Sequence, residues 1–143
     1  MKADAMTEAA VKAVLDQVAE GYVKRDLALL QAAFASDPDV VMYGTGIDEK
    51  RVGLAEIQAQ AERDWSQAEA TAVTYTWTSV SAAGSVAWAA TDAAFNLKAG
   101  GQAMTLPARI TFVLEKRGAQ WLIVQAHFSF PAAGQTEGES FPT

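Results

Sequence analysis

The stretch "ARITFVLEKRGAQWLIVQAHFS", Ala108 to Ser129, decides the fold class. Two runs rich in Val, Ile, Leu and aromatic residues flank "KRGA", a turn-length break containing glycine. That combination predicts two antiparallel strands joined by a hairpin. Upstream, "SVAWAATDAAFNL" and "AVTYTWTSVS" are two further long β-type runs, and "KAGGQA" and "AAGS" are again turn-length. A four-stranded antiparallel meander follows. Pro131 ends the last strand, and residues 132–143, "AAGQTEGESFPT", form a polar tail.

The first half has a different period. Val11, Val14, Leu15, Val18, Ala19 and Tyr22 recur at three- and four-residue spacing, which predicts an amphipathic helix from Thr7 to Lys24 with Thr7 as its N-cap. Asp26 can cap a short second helix, Leu27 to Phe34, which "ASDPD" then breaks. "VVMYG", Val40 to Gly44, reads as a short strand, and "TGIDEKRVG" as a polar loop able to close a hairpin. Gly53 precedes a third helix, Leu54 to Trp65. Helices first and strands after is the α+β pattern: one curved sheet with helices on one side, a single domain over residues 1–131.

Composition removes several function classes. The chain has 143 residues, no cysteine, one histidine and a formal charge of −6. Disulfides, thiolate zinc sites and cysteine nucleophiles are therefore excluded, and a site needing two histidines from one chain is too. No metal or other cofactor is implied. The acidic balance opposes nucleic-acid binding, which needs a basic stripe. There is no apolar run of about eighteen residues to span a membrane, and "MKADAMTEAA" lacks the apolar core of a secretion signal, so a cytoplasmic protein is expected. "AGGQ", Ala99 to Gln102, lies between strands and reads as a hairpin turn, not a phosphate loop.

Strand alternation sorts side chains into faces. In the last strand Leu122, Val124, Ala126, Phe128 and Phe130 share one face; Trp121, Ile123, Gln125, His127 and Ser129 share the other. The same alternation groups Trp88 with Asp92, and Arg109 with Thr111. Three neighbouring strands thus offer one mixed face, holding Trp88, Asp92, Arg109, Thr111, Gln125, His127 and Ser129, and their opposite faces are small or apolar. Unpaired polar groups cost about 1–3 kcal/mol each when buried, so such a cluster either satisfies itself or surrounds a ligand.

Both readings are open for each residue. His127 is a hydrogen-bonded structural histidine or a general acid–base group. Arg109 pairs with Asp92 or with the Asp48–Glu49 loop, or else it binds a carboxylate. Trp88, Trp65, Tyr43 and Tyr22 are core aromatics or the wall of a pocket. Asp48 and Glu49 read as solvated loop charges. Ser129 and His127 are neighbours on one strand face, without the third member of a triad.

The order of elements, with the words "DPDVVMYGTGIDEKRVG", "SVAWAATDAAF" and "ARITFVLEKRGAQWLIVQAHFS", resembles the SnoaL-like branch of the nuclear transport factor two-like superfamily, from Thr7 to Pro131. The closing strand is also similar to the association domain of calcium/calmodulin-dependent kinase II. The resemblance implies a cone-shaped α+β barrel, in which three helices pack in the concave face of a strongly curved, mainly antiparallel sheet around a deep pocket. It implies pairing into homodimers through the sheet, and it puts Arg109, Trp88, His127 and Ser129 at pocket-lining positions. Ketosteroid isomerase belongs to this superfamily and uses a carboxylate base with an oxyanion site of tyrosine and protonated aspartate. Laid over this chain, those three positions fall at Tyr43, Val18 and Thr111, so steroid-type isomerisation is not expected.

The expectation is a pocket for a small organic molecule bearing a carbonyl or carboxylate. Arg109 would hold that group. His127 and Asp92 would move protons in a lyase- or isomerase-like reaction, with Gln125 and Ser129 fixing the histidine tautomer and Trp88, Trp65, Tyr43 and Tyr22 shaping the wall. The competing expectation is a non-catalytic oligomerisation module, in which the polar cluster is an internal network.

Overall fold

Asp4 opens the first helix in the computed structural model, which describes residues 1–142. The helix α1 runs Ala5–Lys24, and the Asp4 carboxylate accepts the Thr7 N–H at 2.7 Å. The predicted cap, Thr7, is thus the residue being capped, one turn inside the helix. Val11, Leu15 and Val18 are buried along one stripe, as their spacing requires. α1 ends on Arg25 in a left-handed conformation with φ 55°. Asp26 then caps α2, Leu27–Ala32, accepting from the Leu29 N–H at 3.0 Å. α2 stops two residues before the predicted Phe34, which instead bridges to Ile123. Gly21 lets the two helices touch, because a Cβ there would meet the Leu30 backbone nitrogen at 2.8 Å.

The hairpin of β1, Val41–Tyr43, and β2, Lys50–Val52, leads through Gly53, at φ 81°, into α3, Leu54–Gln67. The four long strands follow as β3, Glu69–Ala83; β4, Val86–Ala99; β5, Gln102–Arg117; and β6, Gln120–Ser129. Each adjacent pair is antiparallel with a two-residue connection, and Gly100 and Gly101 take the positive φ values, 56° and 79°, that such a tight turn demands. The strand order is β2-β1-β6-β5-β4-β3, with β1 parallel to β6. The α+β architecture is as expected, with one refinement: β2 and β3 remain edges, so the curved sheet is open and not a closed barrel. Residues 1–3 partly cover the β3 edge through Ala3 N–H to Val80 O and Ala82 N–H to Met1 O. Pro107 sits in β5 beyond the last residue paired with β6, where its missing N–H breaks no ladder bond.

The core lies between the helices and the inward face of the sheet. Ala87, Ala89 and Ala93 on β4 and Ile110, Phe112 and Leu114 on β5 are buried there, with α1 and α2 supplying Val11, Leu15 and Leu30. Each large apolar side chain so covered contributes about 1.5–3 kcal/mol. The alternation predicted for β6 fails at one place. Val113 pairs with Gln125 but Leu114 pairs with Ile123, so Val124 is an extra residue. This bulge puts Trp121 and Ile123 on the buried face together with Ala126, and separates them from Gln125 and His127.

Candidate functional site

Between the helices and the inward face of the sheet is a cavity of about 270 Å³. Its wall is mainly apolar, from Val18 and Leu30 on the helices to Phe95, Ile110 and Phe128 on the strands. Its polar end is built by α1, α3 and the β1–β2 loop. Tyr22 stands one turn after Val18 and so shares its inward stripe. Ile57, Gln60, Ala61 and Asp64 occupy positions i, i+3, i+4 and i+7 of α3, which lays a glutamine and an aspartate into an apolar helix face.

These side chains form one network. The Tyr22 hydroxyl donates to Asp64 Oδ2 at 2.9 Å. The Gln60 amide donates to Asp64 Oδ1 at 2.7 Å and to Glu49 Oε1 at 3.0 Å, while its oxygen accepts from Arg51 Nε at 2.9 Å. Arg63 lies outside this cluster and binds Glu49 at 2.7 Å and Asp48 at 2.8 Å. Glu49 is completed by the Gly46 N–H at 2.7 Å. Asp64 therefore has two neutral donors and no ion pair of its own among the described residues. Burial pushes its pKa above the ordinary aspartate value, against the lowering effect of Tyr22 and Gln60. Burial and the neighbouring Asp64 likewise hold the Tyr22 phenol far above its usual range.

Of the residues expected at the site, Tyr22 alone lines this cavity. Trp65 stands behind it, donating from Nε1 to the Tyr22 carbonyl at 3.0 Å with its ring 6.2 Å away. The mixed face does assemble: Asp92 pairs with Arg109 and Arg109 with Ser129, Thr111 with His127, and His127 with Tyr43 across the parallel ladder. Trp88 and Gln125 flank Val113 on the same side. That side faces away from the helices, so the expectation that Arg109, Trp88, His127 and Ser129 line the pocket is corrected. The more apolar face of each strand took the helix-covered side, and the polar one was left outside. Asp92 and His127 are separated by β5. Arg109 donates to the Phe130 carbonyl at 3.2 Å and makes no ion pair with Asp92, and Ser129 Oγ donates to the Arg109 carbonyl at 3.4 Å. The His127 ring instead packs on Tyr43, with centroids 5.2 Å apart.

Asp64 and Gln60 were missed by sequence reasoning, and Glu49, read there as a solvated loop charge, instead lines the cavity with its side chain only 13% exposed. The signal was present for the first two, as polar residues at i+3 and i+7 of the stripe that begins at Ile57. For Glu49 there was none, because a polar loop gives no direction to its side chains. Among the described residues no group of three or more His, Asp and Glu is placed to hold a metal ion, and no helix is long and apolar enough to cross a membrane.

The family model for the SnoaL-like domain matches residues 11–133. Among solved structures, the fold superposes on a nuclear transport factor 2 (NTF2-like) superfamily protein from Salmonella enterica with a TM-score of 0.82 at 18% identity, covering 97% of this chain and 100% of that one. A Xanthomonas campestris protein, proposed to be a calcium/calmodulin-dependent protein kinase II association domain, matches with a TM-score of 0.75 at 25% identity over 86% of each chain. A Streptomyces avermitilis protein of the NTF2-like family, proposed to be a dehydratase, matches with a TM-score of 0.75 at 15% identity over 87% of this chain and 96% of that one. No curated protein matches the sequence.

Proposed function

The chain belongs to the SnoaL-like domain family, and from that premise we propose that it binds a small organic molecule in the cavity between helices and sheet. The apolar body of the guest packs on Leu30, Phe95, Ile110 and Phe128, and its single polar group reaches Tyr22 and Asp64. The observation that carries this reading is the pairing of a 270 Å³ apolar chamber with a half-buried carboxyl that has no ion-pair partner. Asp64 then takes the acid–base role expected of His127 and Asp92, which lie outside the chamber. A raised carboxyl in an apolar pocket suits proton transfer of the lyase or isomerase type. The carboxylate half of the expected ligand class loses its support, since it rested on Arg109 facing inward.

In this reading the outward sheet face pairs with a second copy of the chain. Trp77, 55% exposed, and Tyr43, 43% exposed, stand there with Trp88, an aromatic surface of the kind that anchors interfaces. Assembly and binding thus use opposite faces of one sheet.

A thermal-shift screen of small cyclic compounds tests the cavity, because a binder stabilises the fold by mass action. Val73→Trp, which fills the chamber from β3, is expected to abolish every shift, and Arg109→Ala and His127→Ala on the other face to leave them intact. Shifts that survive Val73→Trp but vanish in His127→Ala would overturn the assignment.

A further inference from the structure

The hydrogen-bond inventory at the polar end of the cavity is lopsided. The Tyr22 hydroxyl has given its one proton to Asp64, and both amide protons of Gln60 are taken, one by Asp64 and one by Glu49. The Gln60 oxygen is filled by Arg51. Within the Tyr22–Gln60–Asp64 cluster the unspent capacity belongs to acceptors, the lone pairs of the Tyr22 oxygen and the remaining sites on the two Asp64 oxygens; the Thr45 hydroxyl and the Gln67 amide are further polar side-chain groups on the wall. A carbonyl guest seated at this cluster would have to take the Tyr22 proton from Asp64. A carboxylate would do so while bringing a second negative charge to an apolar chamber.

Charge points the same way. Glu49 and Asp64 line the cavity, and none of its lining residues is Lys, Arg or His among the described residues. Glu49 is neutralised from outside by Arg63, at 2.7 Å. Asp64 has no such partner, and a carboxylate leaving water for an apolar site is costly until a cation meets it. The chamber also presents the rings of Phe95 and Phe128, whose faces attract cations.

Resting on the cavity reading above, we infer that the guest is a small hydrophobic amine, bound as its ammonium ion with the N–H groups donating to Asp64 and the Tyr22 oxygen. Binding breaks no bond of the existing network. It supplies the missing counter-charge to Asp64 and makes the ammonium's hydrogen bonds to the carboxylate and to the Tyr22 oxygen charge-assisted. Carboxylates are rejected by the same geometry. The groups that face Asp64 are Tyr22 from α1, Gln60 and Arg63 from α3, and Glu49 from the loop before β2. An ammonium at this position favours the ionised carboxyl, opposing the burial that raises its pKa.

Three isosteric probes separate the possibilities: cyclohexylmethylamine, cyclohexylmethanol and cyclohexanecarboxylate, titrated calorimetrically at pH 7.5. The amine is expected to bind at least about tenfold more tightly than the alcohol, in line with the greater strength of charge-assisted bonds, and the carboxylate not at all. Asp64→Asn is expected to bring the amine down to the level of the alcohol, and Asp64→Glu to keep the preference. Should Asp64→Asn fail to fold, as judged by circular dichroism, the wild-type ranking with Asp64→Glu decides. An amine no better than the alcohol, or a carboxylate that binds best, overturns the head-group inference and leaves the cavity reading standing. If none of the three binds and a broad neutral library also fails, both fall.

Discussion

Ile110 and Thr111 are adjacent in β5, and the sheet sends them to opposite environments. Ile110 is 1% exposed and touches the cavity, while Thr111 faces outward beside His127. The same division runs across the sheet, with Ala89 inward and Trp88 outward on β4, and Met42 inward and Tyr43 outward on β1. The inward face holds the core and the chamber. The outward face holds the only histidine, two tryptophans and an arginine without a carboxylate partner among the described residues. Chemically suggestive residues thus gathered on the outward face, while the polar end of the chamber was furnished by the Tyr22 phenol, the Gln60 amide and the carboxyls of Glu49 and Asp64. A residue's reactivity in isolation says less about a site than which side of the sheet it occupies.

The sharpest test of the division is truncation on each side of one strand. Phe112→Ala removes a fully buried ring and is expected to cost about 3–5 kcal/mol, whereas Thr111→Ala on the outward side is expected within about 0.5 kcal/mol of wild type. Urea unfolding monitored by tryptophan fluorescence measures both. Equal costs would mean that the outward face is also covered in the monomer.

The next largest effect concerns assembly. Trp77→Ser is expected to weaken self-association by about 2 kcal/mol, the usual loss of an interface anchor, with unchanged monomer stability. Sedimentation velocity over a dilution series reads this directly. A dimer indifferent to Trp77 would free the outward face for another role.

How much of this division was legible beforehand can be traced residue by residue. The hydrophobic period placed α1 and the meander, and alternation brought Asp92, Arg109, Ser129 and His127 onto one face, since each step depends only on local geometry. Which face becomes concave is a global property, decided by the side on which the helices bury the larger apolar area. Resemblance pointed to the wrong side. The bulge at Val124 was equally hidden, because "WLIVQ" alternates as well without an extra residue as with one. Gln60 and Asp64 were visible as interruptions of an apolar stripe, and a rule that follows polar residues on buried helix faces would have found them.

Within the chamber, Tyr22→Phe is expected to cost about 1 kcal/mol, the worth of one hydrogen bond. Asp64 adds a pH signature. Its folded pKa is raised, so the folded state holds the proton more tightly than the unfolded chain. Its contribution to stability is complete below the ordinary aspartate pKa of about 3.9 and is lost as pH rises through the folded value. Asp64→Asn removes that dependence. The stability of wild type relative to Asp64→Asn should therefore fall as pH rises from about 4 toward neutrality, as followed by thermal unfolding in a buffer series. A difference that grows with pH would mean that the carboxylate is paired with a cation in the fold.

The smallest expected effect is the most pointed for the two-face division. His127→Ala removes a ring that stacks on Tyr43 and for which no hydrogen bond is found among the described residues. Exposed surface substitutions usually stay within about 0.5 kcal/mol, and that is the change expected in the monomer. The chain's one histidine is thereby predicted to leave cavity binding untouched, because the sheet itself stands between it and the chamber. A loss of ligand affinity in His127→Ala would show that the two faces communicate through β6, where Ala126 and Phe128 point inward on either side of the histidine.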